Sequence, residues 1–153
     1  MTTRLHLVSI LTWTSLAAVL PACSATTPSA PARSAASSTE GDAAVWTLEP
    51  GQSPQRSSTK FRALVTRLGC NGGVTGQVSA PRIRTSESEV VVTFTVAPKQ
   101  LGAATCPGND QVPYEVVLGE PLGGRSLVDG ECLPGEQAAT TSFCYPDAIR
   151  FTP

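Results

Sequence analysis

The most regular alternation of hydrophobic and polar residues lies in the segment EVVVTFTVAP, which begins at Glu89. Successive side chains of an extended chain point to opposite faces. One face would then carry Val90, Val92, Phe94 and Val96, and the other would carry Val91, Thr93 and Thr95. This alternation, together with the many β-branched residues, predicts a half-buried β-strand.

Shorter alternating segments follow the same rule. They are KFRALVTRL at 60–68, VTGQV at 74–78 and VPYEVVLG at 112–119. The Ser/Glu-rich turn before Glu89 predicts a hairpin whose first strand contains Ile83. The Pro and Gly residues of EPLGGRSLVDG predict a loop and then a returning strand at Ser126–Val128. The tail TSFCYPDAIRFTP adds one or two short strands, interrupted at Pro146.

About seven short strands and no helical period predict an all-β domain over residues 46–153. The expected architecture is an antiparallel β-sandwich of immunoglobulin-like type. A small Greek-key barrel is the alternative, because its strands alternate in the same way. No Trp lies between the cysteines of this region, so the resemblance to immunoglobulin domains is one of architecture only.

The N-terminus has the pattern of an export signal, with Arg4, an apolar run over residues 7–20 and then small residues. At about 1.5 Å per residue the run reaches about 21 Å as a helix. That is shorter than the roughly 30 Å hydrocarbon core of a bilayer. The sequence therefore predicts a signal peptide over residues 1–22 and not a permanent membrane span.

The end of this run, Leu20-Pro21-Ala22-Cys23, resembles the lipobox of bacterial lipoprotein precursors. The resemblance implies that Cys23 is lipidated, becomes the new N-terminus and anchors the chain at the extracytoplasmic face of the cell membrane. Two or more acyl chains give stable anchoring where one gives only marginal binding. The alternative is an ordinary secretory signal, cut for instance after Ala25, that discards Cys23.

The cysteine count favours lipidation. The chain has five cysteines, an odd number that in an exported protein calls for an explanation. If Cys23 carries lipid, an even set of four remains for an oxidising compartment: Cys70, Cys106, Cys132 and Cys144. Four cysteines allow three pairings. We favour Cys70 with Cys106, which joins two turn-rich strand ends, and Cys132 with Cys144, which brackets one short loop.

Composition separates the anchor from the domain. Residues 23–45 are rich in Ser, Ala, Thr and Pro without apolar periodicity, which predicts a disordered, flexible tether. The whole chain has 11 Lys and Arg against 12 Asp and Glu, with no basic run. A nucleic-acid partner is therefore not expected. The segment Ala104–Cys132 resembles one that recurs in uncharacterised secreted and lipid-anchored proteins of actinobacteria, a resemblance that implies no activity.

The predicted domain lacks the usual catalytic residue types. The only histidine, His6, lies in the predicted signal peptide, which excludes Ser–His and Cys–His catalysis and histidine metal sites from the mature chain. The domain cysteines have no CxxC spacing. The segment CNGGVTG lacks a phosphate-binding Lys, so its glycines, Gly72, Gly73 and Gly76, are expected in turns with positive φ. We expect no catalytic residue, metal site or cofactor.

Carboxylates are the remaining chemical candidates. Asp110, Asp129 and Glu131 would serve a hydrolase that uses carboxylates alone, and Glu136 lies near enough in sequence to join a calcium site. Gly130 marks a turn, so solvated turn carboxylates are the simpler expectation. The PGND segment at 107–110 is expected to be a β-turn in which an Asx side chain bonds its own backbone.

Three aromatic residues are candidates for a ligand platform. Trp46 is expected to hold the first strand to the core, and Tyr114 alternates with Val116 and is expected to be buried. Tyr145, beside Cys144, is the least constrained of the three.

Three functions remain open at this point. The preferred one is a non-enzymatic lipoprotein that binds a protein or envelope component through loops or a sheet edge. The others are the carboxylate hydrolase and a structural envelope spacer without a specific ligand.

Overall fold

The described part of the chain consists of strands and turns. The computed structural model describes residues 41–99, 102 and 104–153, so the predicted signal peptide, Cys23 and most of the tether lie outside the described residues. The strands are β1 (Asp42–Leu48), β2 (Lys60–Arg67), β3 (Arg82–Thr85), β4 (Glu89–Val96), β5 (Val112–Val117), β6 (Ser126–Asp129) and β7 (Ile149–Phe151). Two 3₁₀ turns cover Gly130–Cys132 and Ser142–Cys144. The prediction of an all-β fold is confirmed.

The seven strands form one mixed sheet in the order β5-β2-β1-β4-β6-β7, with β3 also paired to β4. Every pair is antiparallel except β4 and β6, which run parallel with Val90 opposite Leu127. The prediction of a wholly antiparallel arrangement is wrong at this pair. The strand that follows the loop after β5 does not pair with β5. This strand, β6, lies next to β4, where Leu127 is buried in the core.

Strand β4 organises the sheet. Its first half pairs with β3 on one edge and with β6 on the other, since Val92 lies opposite both Ile83 and Asp129. Its second half pairs with β1 through Ala44, opposite Phe94. The segment that leads into β3 continues along the β3 edge, where Val78 bridges to Val96. Strand β1 therefore lies on the same edge of β4 as β6, further along the strand.

The alternation predicted for β2 and β4 is confirmed. The inward-facing residues are buried and form one core: Phe61, Ala63, Val65, Val90, Val92, Phe94 and Val96. Trp46 is 1% exposed and packs against Phe61 at 5.3 Å between ring centroids. The prediction of a short strand at VTGQV is wrong, because within this segment only Val78 forms a bridge, to Val96.

The folded domain begins earlier than the sequence predicts. Strand β1 starts at Asp42, within the segment assigned to the tether. The buried residues of this part of the strand, Ala43 and Ala44, lie beside β4. Because they are small, the sequence here shows no large apolar residue that would indicate a strand. Asp42 also accepts hydrogen bonds from the Arg67 side chain and from the backbone N–H of Lys99. Composition alone does not distinguish such a strand from a tether.

The four domain cysteines lie in two pairs at disulfide distance. The Cα atoms of Cys70 and Cys106 are 4.8 Å apart, and those of Cys132 and Cys144 are 5.3 Å apart. These are the two pairs that the spacing favours. Cys70 and Cys106 are exposed, whereas Cys132 and Cys144 are buried in a small second core that also contains Val45.

Candidate functional site

A polar pocket lies on the face of β4 that is turned away from the main core. Thr93 and Thr95 occupy this face because the Val and Phe residues of the strand point the other way. The pocket has a volume of about 440 Å³, within the size range of small-ligand sites. Its lining consists of Gly41, Ala43, Ser79, Ala80, Arg82, Thr93, Thr95, Glu131, Glu136 and Gln137.

Three elements bring the charged side chains of the pocket together. Arg82 begins β3 and lies opposite Thr93 of β4. Glu131 is in the 3₁₀ turn that follows β6. This turn can approach β4 because residue 130 is Gly: a Cβ at that position would overlap the hydroxyl of Thr93. Glu136 follows in the next loop and is exposed.

Glu131 is a buried carboxylate in the wall of the pocket. It is only 6% exposed, and its Oε2 atom has no hydrogen-bond partner among the described residues. Burial, followed by the charges of Glu136 and Asp129, raises the pKa of Glu131. The nearby Arg82 and the backbone N–H of Gln137 oppose that shift. The carboxyl is therefore held at the pocket wall with one acceptor unused.

Asp129 lies behind this wall and is completely buried. Its Oδ2 accepts from the backbone N–H of Trp46 and from Arg150, both at 3.0 Å. Its Oδ1 accepts from the backbone N–H of Glu131 at 3.1 Å, which caps the 3₁₀ turn. Burial raises the pKa of Asp129, and these hydrogen bonds and Arg150 oppose the shift. Asp129 is a structural group and does not line the pocket.

The expectation that Asp129 and Glu131 are solvated turn carboxylates is wrong. The sequence around Gly130 does form a turn, but the turn packs against β1 and β4 instead of projecting into water. Gly130 permits this close packing. The same tertiary contact that buries the two carboxyls also raises their pKa values.

Asp110, the third hydrolase candidate, is not part of the pocket. Its carboxylate and backbone carbonyl accept from the N–H and hydroxyl of Thr75. Asn109 donates to the carbonyls of Arg67 at 3.0 Å and Gly69 at 2.8 Å. The prediction of an Asx bond to the local backbone is wrong, because these bonds attach the loop to the end of β2 and to Thr75 in the loop that follows β2. Gly72, Gly73 and Gly76 have positive φ, as predicted.

The aromatic candidates take three different positions. Trp46 is buried, and its indole N–H donates to the Val92 carbonyl at 3.0 Å. Tyr114 is half-buried and meets Phe94 edge-on at 5.3 Å. Tyr145 is 83% exposed, and the nearby Phe143 and Ile149 are also exposed. Among the described residues, no group of three or more His, Cys, Asp or Glu side chains is placed to hold a metal ion.

The sequence predicts chemical roles for Glu131 and Glu136 but not for Arg82, Thr93 or Thr95. The available signal was the outward threonine row of β4, next to a strand that begins with a basic residue. No protein-family model, curated protein or solved structure matches this chain. In the part of the chain that the structure describes, no helix has the length and apolar character needed to cross a membrane.

Proposed function

We propose that this protein is a non-enzymatic lipoprotein, held at the extracytoplasmic face of the cell membrane by lipid on Cys23, that binds a protein or envelope component. The observation that carries the proposal is the pairing of cysteines. Cys70 with Cys106 and Cys132 with Cys144 use all four cysteines of the domain. Cys23, at the lipobox-like sequence, is then the one cysteine left for lipid.

The pairing also supports an oxidising compartment. Disulfides form and persist outside the cytoplasm, and a modest domain gains stability from them. In the chain-entropy model, closing the longer and the shorter loop contributes about 4 and about 3 kcal/mol respectively. These values are a large share of the roughly 5 to 15 kcal/mol that is typical of a domain.

The binding role is supported by the pocket that contains Arg82, Glu131 and Glu136. It is open, polar and large enough for a small ligand or for a side chain of a partner. An unused acceptor on a buried carboxylate is costly to maintain without a partner. A binding protein gives that acceptor a function.

The experiment is in-cell cross-linking of the lipidated protein in a bacterial host with its own lipoprotein-processing enzymes, followed by mass spectrometry. The control is Cys23→Ala, which should move the protein from the membrane to the soluble fraction. We expect one enriched neighbour that depends on anchoring. Unchanged membrane retention of Cys23→Ala would refute the lipid anchor, and enrichment of abundant background proteins alone would favour the structural spacer.

We also propose that the sheet folds back at β4 into two facing layers, in the manner of an immunoglobulin-like sandwich. In support, one buried cluster joins Phe61 of β2 and Val116 of β5 to Leu127 of β6. Strand β4 would serve both layers, with β1 at one end and β6 at the other. Backbone contacts between β5 and β7 in NMR spectra would indicate the small barrel instead, because a barrel has no free edge strands.

A carboxylate hydrolase is the second candidate. Glu131 has a raised pKa, as a general acid requires, and it shares the pocket with a second carboxylate, Glu136. The test is release of chromophore from aryl glycosides by the wild type and by Glu131→Gln. Turnover that is lost in the variant would support the hydrolase, and no turnover of any glycoside would reject it for this substrate class.

A further inference from the structure

The pocket selects ligands by charge and hydrogen bonds. Over the described residues 41–99, 102 and 104–153, its apolar lining is limited to Gly41, Ala43 and Ala80, which offer little surface for an apolar ligand. The remaining lining residues are hydroxyl, amide or charged side chains. A ligand would therefore be recognised by its polar groups.

The charges in the pocket are unequal. Among the residues that the structure describes, the lining has two carboxylates, Glu131 and Glu136, and one guanidinium, Arg82. The adjacent Asp129 is already paired with Arg150 at 3.0 Å behind the wall. When both lining glutamates are ionised, the described part of the lining carries one net negative charge. A ligand with a single positive charge would balance it.

The donor that fits the unused acceptor is a cationic one. Buried acceptors in proteins are nearly always hydrogen-bonded, but Oε2 of Glu131 has no partner among the described residues. The Glu131 side chain forms part of the pocket wall, but Oε2 itself is covered. Rotation about the soft terminal torsion of the side chain would bring Oε2 to a ligand. An ammonium group brings three donors and one positive charge. Bonds between a cation and a carboxylate are also stronger than neutral ones.

We propose that the pocket binds the primary ammonium group of a ligand, with Glu131 as its main acceptor. Glu136 and the hydroxyls of Thr93 and Thr95 supply further acceptors around the group. Arg82 is placed to meet a carbonyl or carboxylate on the same ligand. This inference names the ligand chemistry of the proposed binding role, and it does not depend on the lipid anchor.

The experiment is titration calorimetry on the full chain carrying Cys23→Ala, so that no lipid is attached. The probes are Nα-acetyl-lysine amide, which presents a side-chain ammonium, and Nα-acetyl-norleucine amide, which has an apolar chain of similar length without it. Glycylglycine and putrescine represent a peptide N-terminus and a diamine, and the tightest of the three ammonium probes identifies the source.

The variants are Glu131→Gln and a matched control, Glu115→Gln. Glutamine keeps the size of the side chain but removes its charge. Glu115 is an exposed carboxylate on β5 that pairs with Lys60, away from the pocket. We expect Glu131→Gln to weaken binding of the best ammonium probe about tenfold or more, and Glu115→Gln to leave it unchanged. Thermal unfolding checks that both variants are folded.

Three results would overturn the inference. They are the absence of binding by every ammonium probe, equal binding of the norleucine probe, and equal affinity in folded Glu131→Gln. Suppose that one of these results is found but in-cell cross-linking identifies an anchored partner. The ligand assignment then fails while the proposed function survives. If the ammonium probe binds but Cys23→Ala stays in the membrane, the ligand assignment survives while the lipid anchor of the proposed function fails.

Discussion

The backbone N–H of Trp46 donates to Oδ2 of Asp129, 83 residues further along the chain, at 3.0 Å. Strand β4 pairs with β1 only as far as Ala44, because β6 takes over the same edge of β4. The Asp129 carboxylate lies where β6 replaces β1 along this edge of β4. It accepts the hydrogen bond of the Trp46 backbone N–H, which has no partner on β4 there. It also binds Arg150 of β7 and so links three strands.

Replacing Asp129 should destabilise the domain strongly. Asp129→Ala leaves a buried cation at Arg150 and the Trp46 N–H without their acceptor, and we expect a loss of about 3 to 5 kcal/mol in the free energy of unfolding. Asp129→Asn keeps one oxygen but no charge and should lose about 1 to 3 kcal/mol. Urea unfolding followed by Trp46 fluorescence measures both. The control, Glu87→Gln in the exposed β3–β4 turn, should stay near the wild type, and an unchanged Asp129→Ala would refute the linking role.

Stability should fall as pH rises above the ordinary pKa of Glu131. The pKa of this carboxyl is raised from its ordinary value of 4.5, so the folded protein retains a proton that the unfolded chain has lost. The folded state then binds more protons, and stability declines with increasing pH until the raised pKa is passed. Asp129, whose pKa is also raised, contributes with the same sign.

Glu131→Gln isolates this effect, because glutamine does not titrate. The variant should lose less stability than the wild type as the pH is raised above the ordinary pKa of Glu131, as measured by thermal unfolding over a pH series. Glu136→Gln removes only the neighbouring charge and should give a smaller change in the same direction. A Glu131→Gln variant with the pH slope of the wild type would contradict the assignment.

The two disulfides should differ in their reactivity toward a reductant. Cys70 and Cys106 are exposed, whereas Cys132 and Cys144 are buried. A thiolate must reach the sulfur atom that it attacks. Mild reduction of the folded protein should therefore open the first pair first, as detected by alkylation and mass spectrometry. Equal labelling of all four cysteines under folded conditions, or prior labelling of Cys132, would contradict this order.

Arg67 should not be replaceable by Lys. Its guanidinium is buried and donates in three directions, to Thr75, to Asp42 and to the Ala97 carbonyl. One ammonium on a flexible stem cannot reproduce that geometry, so Arg67→Lys should cost about 1 to 3 kcal/mol in unfolding free energy. The matched control is Arg62→Lys, at an exposed ion pair with Glu49 3.4 Å away. Equal stability of the two variants in urea would count against the role of Arg67.

The local character of the strands was determined by the sequence itself. The alternation in β2 and β4 specifies which side chains are buried, because a pleated strand turns successive residues to opposite faces. The spacing of the cysteines likewise favoured the two pairs that lie at disulfide distance. These features depend on neighbours in the chain, which a sequence displays directly.

The places where distant segments meet are set by tertiary packing. The parallel pairing of β6 with β4, the burial of Asp129 and the start of β1 at Asp42 depend on contacts across many residues. Two carboxylates beside a glycine predict a solvated turn from the sequence. Packing of this turn against β4 buries them instead. Burial and charge at the pocket are properties of that packing, so the candidate site emerges only with the fold.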